Sequence, residues 1–80
     1  MQIYVITPNQ SKAARALLNW SQKDLSKLCG ISMSRIADFE RGVSTPRLET
    51  MGAISNIFIE HGIEFIRETG VNLRITNSDS

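Results

Sequence analysis

The sequence predicts a mainly α domain of four short helices with short β-strands at its two ends. Three observations carry this. Helix-start residues recur at Thr7, Ser21, Ser32 and Thr45. Between them the apolar residues repeat with the period of a helix. At the two ends the pattern changes, to a β-branched and aromatic run at residues 2–6 and to strict alternation after Gly62.

Gln2-Ile3-Tyr4-Val5-Ile6 therefore reads as a short strand. Thr7-Pro8-Asn9-Gln10 opens the first helix: Thr7 caps, Pro8 suits the first helical position, and Gln10 closes a capping box. This helix is predicted over residues 8–19, with Ser11, Ala14, Leu18 and the stem of Arg15 on one face. Ser21 and Asp24 form a second capping box, which starts a helix over 22–29 with Leu25, Leu28 and Cys29 inward. Gly30 is placed as its left-handed cap. Ser32 then opens a third helix over 33–41, which Gly42 ends. After the Val43-Ser44 loop, Thr45-Pro46 repeats the cap-plus-proline start, and a fourth helix runs to residue 60. Its Leu48, Met51, Ile54, Phe58 and Ile59 fall within about 140° of arc, and Ile57 lies outside. Ile63 and Phe65, then Val71, Leu73 and Ile75, alternate with polar residues around Glu68-Thr69-Gly70, the pattern of a β-hairpin. The chain, 1–80, reads as one domain: a helical core over 7–61, a hairpin over 62–76 and a polar tail over 77–80, expected to be flexible.

Composition narrows the function classes. At 80 residues and 41% hydrophobic, the chain is long enough for one small core and too apolar for a disordered tail. One cysteine excludes an internal disulfide, and one cysteine with one histidine makes no zinc site in one chain. The longest apolar run, Ile3-Tyr4-Val5-Ile6, is too short to span a membrane, and no secretory signal is visible, so a cytoplasmic setting is expected. No phosphate-cradling glycine loop, Ser/His/Asp set or paired carboxylates occur, so no catalytic residue, cofactor or metal is expected and an enzyme is disfavoured. Charge is unevenly placed. Residues 1–47 hold seven basic and three acidic residues, and residues 48–80 hold two basic and five acidic ones. A polyanion would meet the first part, although a chance scatter of so few charges fits equally well.

The informative unit is residues 21–42, two short helices joined by a tight turn holding Gly30 and the apolar Ile31. This is the anatomy of a helix-turn-helix, whose second helix enters a DNA major groove. Projected at about 100° per residue, Ile36, Phe39 and Glu40 face the domain, and Ser34, Ala37, Asp38 and Arg41 lie opposite. Met33 and Arg35 flank that outer face. It is short and mixed near its N-terminal end, so a base edge can approach closely.

The run Ala13-Ala14-Arg15-Ala16-Leu17-Leu18-Asn19-Trp20-Ser21-Gln22-Lys23-Asp24-Leu25 resembles the opening of a Cro/lambda-repressor-type helix-turn-helix domain, also called the xenobiotic-response-element family. Gly30-Ile31-Ser32, Ile36, Phe39-Glu40-Arg41-Gly42 and Ser44-Thr45-Pro46-Arg47-Leu48-Glu49-Thr50 continue the likeness, which covers residues 8–66. Small prophage-type members with a hairpin after the fourth helix look most similar. The resemblance implies a lambda-repressor-like fold and a transcription regulator. It would bind double-stranded DNA as a homodimer and repress a palindromic operator near its own gene. It implies that Met33, Ser34 and Asp38 face bases, and that Gln22 binds a phosphate while bracing the reading helix. Ser32, Arg35, Arg41 and Arg47 are expected at phosphates, and Arg15 and Glu40 as a buried ion pair. Two residues depart from the usual pattern. Met33 offers only apolar contact. Asp38 either accepts from a cytosine amino group or orients Arg35 or Arg41, and the orienting role is favoured because an isolated carboxylate is repelled from the groove.

The dimer face is expected on the terminal strands and the fourth helix, at Ile3, Val5, Ile57 and Ile66. The alternative is an antitoxin that binds a protein toxin and regulates its own promoter. Cys29 is expected to fill core, His61 to cap helix carbonyls and Trp20 to anchor the core.

Overall fold

Local cap chemistry sets most of the helix boundaries in the computed structural model, which describes residues 4–67 and 70–73. The helices are α1 Pro8–Leu18, α2 Gln22–Cys29, α3 Met33–Glu40 and α4 Leu48–Glu60, followed by strands β1 Ile63–Ile66 and β2 Gly70–Leu73. Thr7 Oγ1 accepts the Gln10 N–H at 3.1 Å, and Gln10 Oε1 accepts the Thr7 N–H at 2.9 Å, closing the predicted box. α1 stops at Asn19, which takes the left-handed conformation (φ 64°) that asparagine tolerates. Ser21 and Asp24 cap α2 in the same reciprocal way. The Ser21 backbone N–H holds the Asp24 carboxyl below its ordinary value, with the Ser21 hydroxyl adding to the effect. α2 ends at Gly30, whose φ of 77° strains any side chain although a Cβ there would meet nothing within 4 Å.

α4 starts later than the sequence pattern predicts. Residues Ser44–Arg47 stay outside the helix, and Arg47 is its N-cap with extended backbone and no side-chain cap bond. Ser44, Thr45, Pro46 and Arg47 instead line a cleft with Arg35 and Asp38 of α3. The expected N-terminal strand is also corrected. Tyr4–Ile6 takes no strand conformation, and the rest of that stretch lies outside the described residues. The sheet among the described residues is the antiparallel pair β1–β2, with Ile63 opposite Leu73, Phe65 opposite Val71 and Ile66 opposite Gly70.

The core comprises Ile6, Ala14, Leu25, Ile36, Phe39, Met51, Ile54, Phe58 and Ile63, all buried. Trp20 stacks on Phe58 with centroids 5.8 Å apart, and Phe65 meets Phe58 edge-on at 6.1 Å. α4 buries Met51, Gly52, Ile54, Ser55 and Phe58. This stripe is rotated from the predicted arc: Leu48 is 64% exposed and Ile59 is exposed, whereas Ile57 is half-buried against the core. α2 covers one side of α4 and β1 meets it, so those neighbours choose the buried stripe. Leu28, expected inward on α2, is exposed, and Leu25 alone on that helix is fully buried.

The hairpin is tied to α1 by a residue that the sequence marked only as a cap. Gln10 is buried, and its Nε2 donates to the carbonyls of Arg67 at 2.5 Å and Gly70 at 3.0 Å. Gly70 sits where a Cβ would come within 3.1 Å of Ile66 Cβ, so a side chain there would require Ile66 to shift by a few tenths of an ångström. Gln10→Ala is expected to lower stability by about 1–3 kcal/mol, because two hydrogen bonds that tie α1 to the hairpin are lost. Urea unfolding gives the loss, and amide exchange on the hairpin should rise more than on α3.

Candidate nucleic-acid interface

The turn between α2 and α3 is fixed by three short-range bonds. The Gly30 N–H donates to Ser26 O at 2.9 Å, Ser26 Oγ donates to Ile31 O at 2.6 Å, and Ser32 Oγ accepts the Arg35 N–H at 3.3 Å. Ile31 is half-buried against the core. Ile36, Phe39 and Glu40 are buried, so α3 lies on the domain along the predicted inner face. Ser32, Met33, Ser34, Arg35 and Arg41 are exposed, and Ala37 and Asp38 half-buried. The far end of α3 closes with the Val43 N–H donating back to Asp38 O at 2.9 Å.

Glu40 is the anchor beneath this helix, 3% exposed. Arg15 grips it bidentately, with Nε on Oε2 at 2.9 Å and Nη2 on Oε1 at 2.7 Å. Ser11 Oγ adds 2.6 Å to Oε2, and Gln22 Nε2 adds 3.0 Å to Oε1. Arg15 Nη1 also donates to Trp20 O at 3.1 Å. Burial alone would raise the Glu40 carboxyl, but the bonds from Arg15, Ser11 and Gln22 and the Arg15 charge together hold it below its ordinary value. The network thus joins α1, α2 and α3 through one ionised carboxylate. Ser11 in this role was not foreseen, because a serine on a helical face reads as filler until its partner on another helix is known.

Gln22 is half-buried, and one of its amide N–H groups serves Glu40, leaving the second for another acceptor. Asp38 pairs with Arg41, Nη2 donating to Oδ1, and not with Arg35. Arg35, Asp38, Ser44, Thr45, Pro46, Arg47 and Thr50 line a cleft of about 240 Å³ between α3 and the loop before α4. Two guanidinium groups and three hydroxyls around such a cleft favour an anion, since its one carboxylate, Asp38, is already paired with Arg41.

The residues expected at the dimer face do not come together. Ile66 is 50% exposed and shares a groove of about 340 Å³ with Tyr4, Ile59, Ile63, Glu64 and Phe65. Val5 is exposed but lines a separate crevice with Ile6, Phe39 and Met51. Ile57 is half-buried against the core, and Ile3 lies outside the described residues. Trp20 and Cys29 are half-buried, and burial raises the Cys29 thiol. His61 Nδ1–H donates to Ile57 O at 2.9 Å, as expected of a capping residue, and meets Trp20 edge-on at 4.8 Å. Among the described residues no cluster of three metal-ligating side chains occurs, and no helix is long and apolar enough to cross a membrane.

A braced α2, a three-residue turn and an exposed α3 edge define a helix-turn-helix DNA-binding domain. The Helix-turn-helix family model matches residues 12–62, and the chain belongs to that family, whose domains bind double-stranded DNA and regulate transcription. The match takes in most of α1 and the whole of α2, α3 and α4, and the strands lie beyond it. No curated protein matches the chain.

Proposed function

We propose that the protein is a dimeric repressor that binds a palindromic operator beside its own gene. The observation that carries the reading is the outer face of α3: Met33, Ser34 and Arg35 stand exposed at its N-terminal end and Arg41 at its C-terminal end, with Arg47 across the cleft from Arg35. On this reading Met33, Ser34 and Asp38 face bases, and Gln22, Ser32, Arg35, Arg41 and Arg47 hold phosphates. α3 is about 12 Å long at the usual helical rise, so one copy spans only a few base pairs. Two copies related by a two-fold axis read half-sites about one DNA turn apart.

A gel shift with the upstream region of the gene tests binding. Comparison of Ser34→Ala with Arg35→Ala then tests the roles. Ser34→Ala is expected to cost about 1–3 kcal/mol at particular base pairs and to leave the salt dependence nearly unchanged. Arg35→Ala is expected to weaken operator and scrambled duplexes alike and flatten the salt slope by about one unit. Equal weakening of both duplexes by Ser34→Ala, with altered base preference in Arg35→Ala, reverses the assignment.

We place the second copy on the groove of Tyr4, Ile59 and Ile66, because β1 and the C-terminal end of α4 form it and the cleft beside α3 adjoins the other end of α4. A dimer through that groove leaves α3 free for DNA. Ile66→Glu with Ile59→Glu is expected to sediment as a folded monomer with much weaker operator binding. An unchanged dimer refutes this interface, and a wild-type monomer returns the groove to the antitoxin reading, with a protein toxin as its occupant.

A further inference from the structure

We infer that Asp38 selects cytosine at one position of each operator half-site, and that its ion pair with Arg41 is what makes a carboxylate acceptable in the groove. The inference rests on the DNA-binding reading above and carries it to the chemistry of one base.

Asp38 lies on the outer side of α3, one helical turn beyond Ser34. Its side chain is 42% exposed, and Arg41 reaches it from the C-terminal end of the same helix with a side chain 65% exposed. Arg41 takes Oδ1, and the lone pairs of Oδ2 serve a second donor. Arg35 and Arg47 line the same cleft as Asp38, so the positive charge there exceeds that of the one pair. A lone carboxylate between phosphates is repelled over many ångströms. An Arg–Asp pair is nearly neutral at that distance, and only at contact does it present a bare acceptor.

A carboxylate accepts and never donates, which decides the base. In the major groove cytosine presents its N4 amino donor and no acceptor of its own. Adenine places the N7 acceptor next to its amino group, and guanine and thymine present carbonyl acceptors there. Cytosine is therefore favoured, adenine tolerated less well, and guanine and thymine rejected. The two roles open to Asp38 from sequence, orienting an arginine and accepting from cytosine, are performed together by its two oxygens.

The experiment is enrichment from a random-sequence duplex library by the full chain, followed by affinity measurements on the consensus and its single substitutions at one salt concentration. Wild type, Asp38→Ala and Asp38→Asn are compared, with circular dichroism as the check on folding; the asparagine variant is isosteric. The wild-type consensus is expected to hold a cytosine whose replacement by guanine costs about tenfold or more in affinity. Asp38→Ala should lose the preference at that position alone. Asp38→Asn should shift it to adenine, whose N6 and N7 match a carboxamide. If every position keeps its wild-type preference in both variants, Asp38 acts only through Arg41 and the inference is overturned while DNA binding stands. If wild type enriches no sequence at all, the DNA-binding reading falls and this inference with it.

Discussion

Arg15→Met is expected to remove about 3–5 kcal/mol of folding stability, the range for taking one partner from a buried ion pair. The reason is Glu40. Its carboxylate is 2% exposed, and methionine would leave it charged with only the neutral donors Ser11 and Gln22. Guanidinium unfolding of the variant measures the loss, and less than about 1 kcal/mol would show that water already solvates the pair. Adding Glu40→Gln to Arg15→Met should recover part of the stability, because the uncompensated charge is gone. The pair also sets an acid limit. Glu40 has a folded value below its ordinary 4.5, so its contribution is complete above 4.5 and is lost as pH falls through the folded value. A wild-type stability curve should therefore drop below pH 4.5, and Glu40→Gln should flatten that drop.

Phe58→Ala is expected to cost about 3–5 kcal/mol, enough to unfold much of so small a domain at physiological temperature. Phe58 is fully buried and holds both Trp20, at the end of α1, and Phe65 on β1. Its removal opens a cavity between Trp20, α4 and β1. The loss should appear in thermal unfolding, with the Trp20 fluorescence maximum shifted to longer wavelength in the native state. Phe65→Ala, on a half-buried strand residue, should cost less.

How much of this was legible beforehand depended on the range of the interaction involved. The boundaries of α2 coincide with their prediction, because Ser21, Asp24 and Gly30 act within one turn of the ends they define. The inner face of α3 was equally plain from the spacing of Ile36, Phe39 and Glu40; a buried glutamate calls for a partner, and the family resemblance pointed to Arg15. Gln10 was half-read. Its carbonyl oxygen serves Thr7 three residues away, but its nitrogen serves carbonyls 57 and 60 residues along the chain. Nothing in the local pattern announces the second role.

By itself, then, the sequence determined the side-chain caps of the first three helices, the tight turn that makes the second and third a unit, and the inner face of α3. These depend on hydrogen bonds and side-chain spacing within a few residues. Only the tertiary structure decided that Leu28, Leu48 and Ile59 are exposed while Ile57 is half-buried, that Arg41 and not Arg35 holds Asp38, and that the loop before α4 stays extended beside α3. An amphipathic helix has an apolar stripe wide enough to be buried at several rotations, and the neighbouring α2, α3 and hairpin choose among them through shape and packing that no single segment encodes.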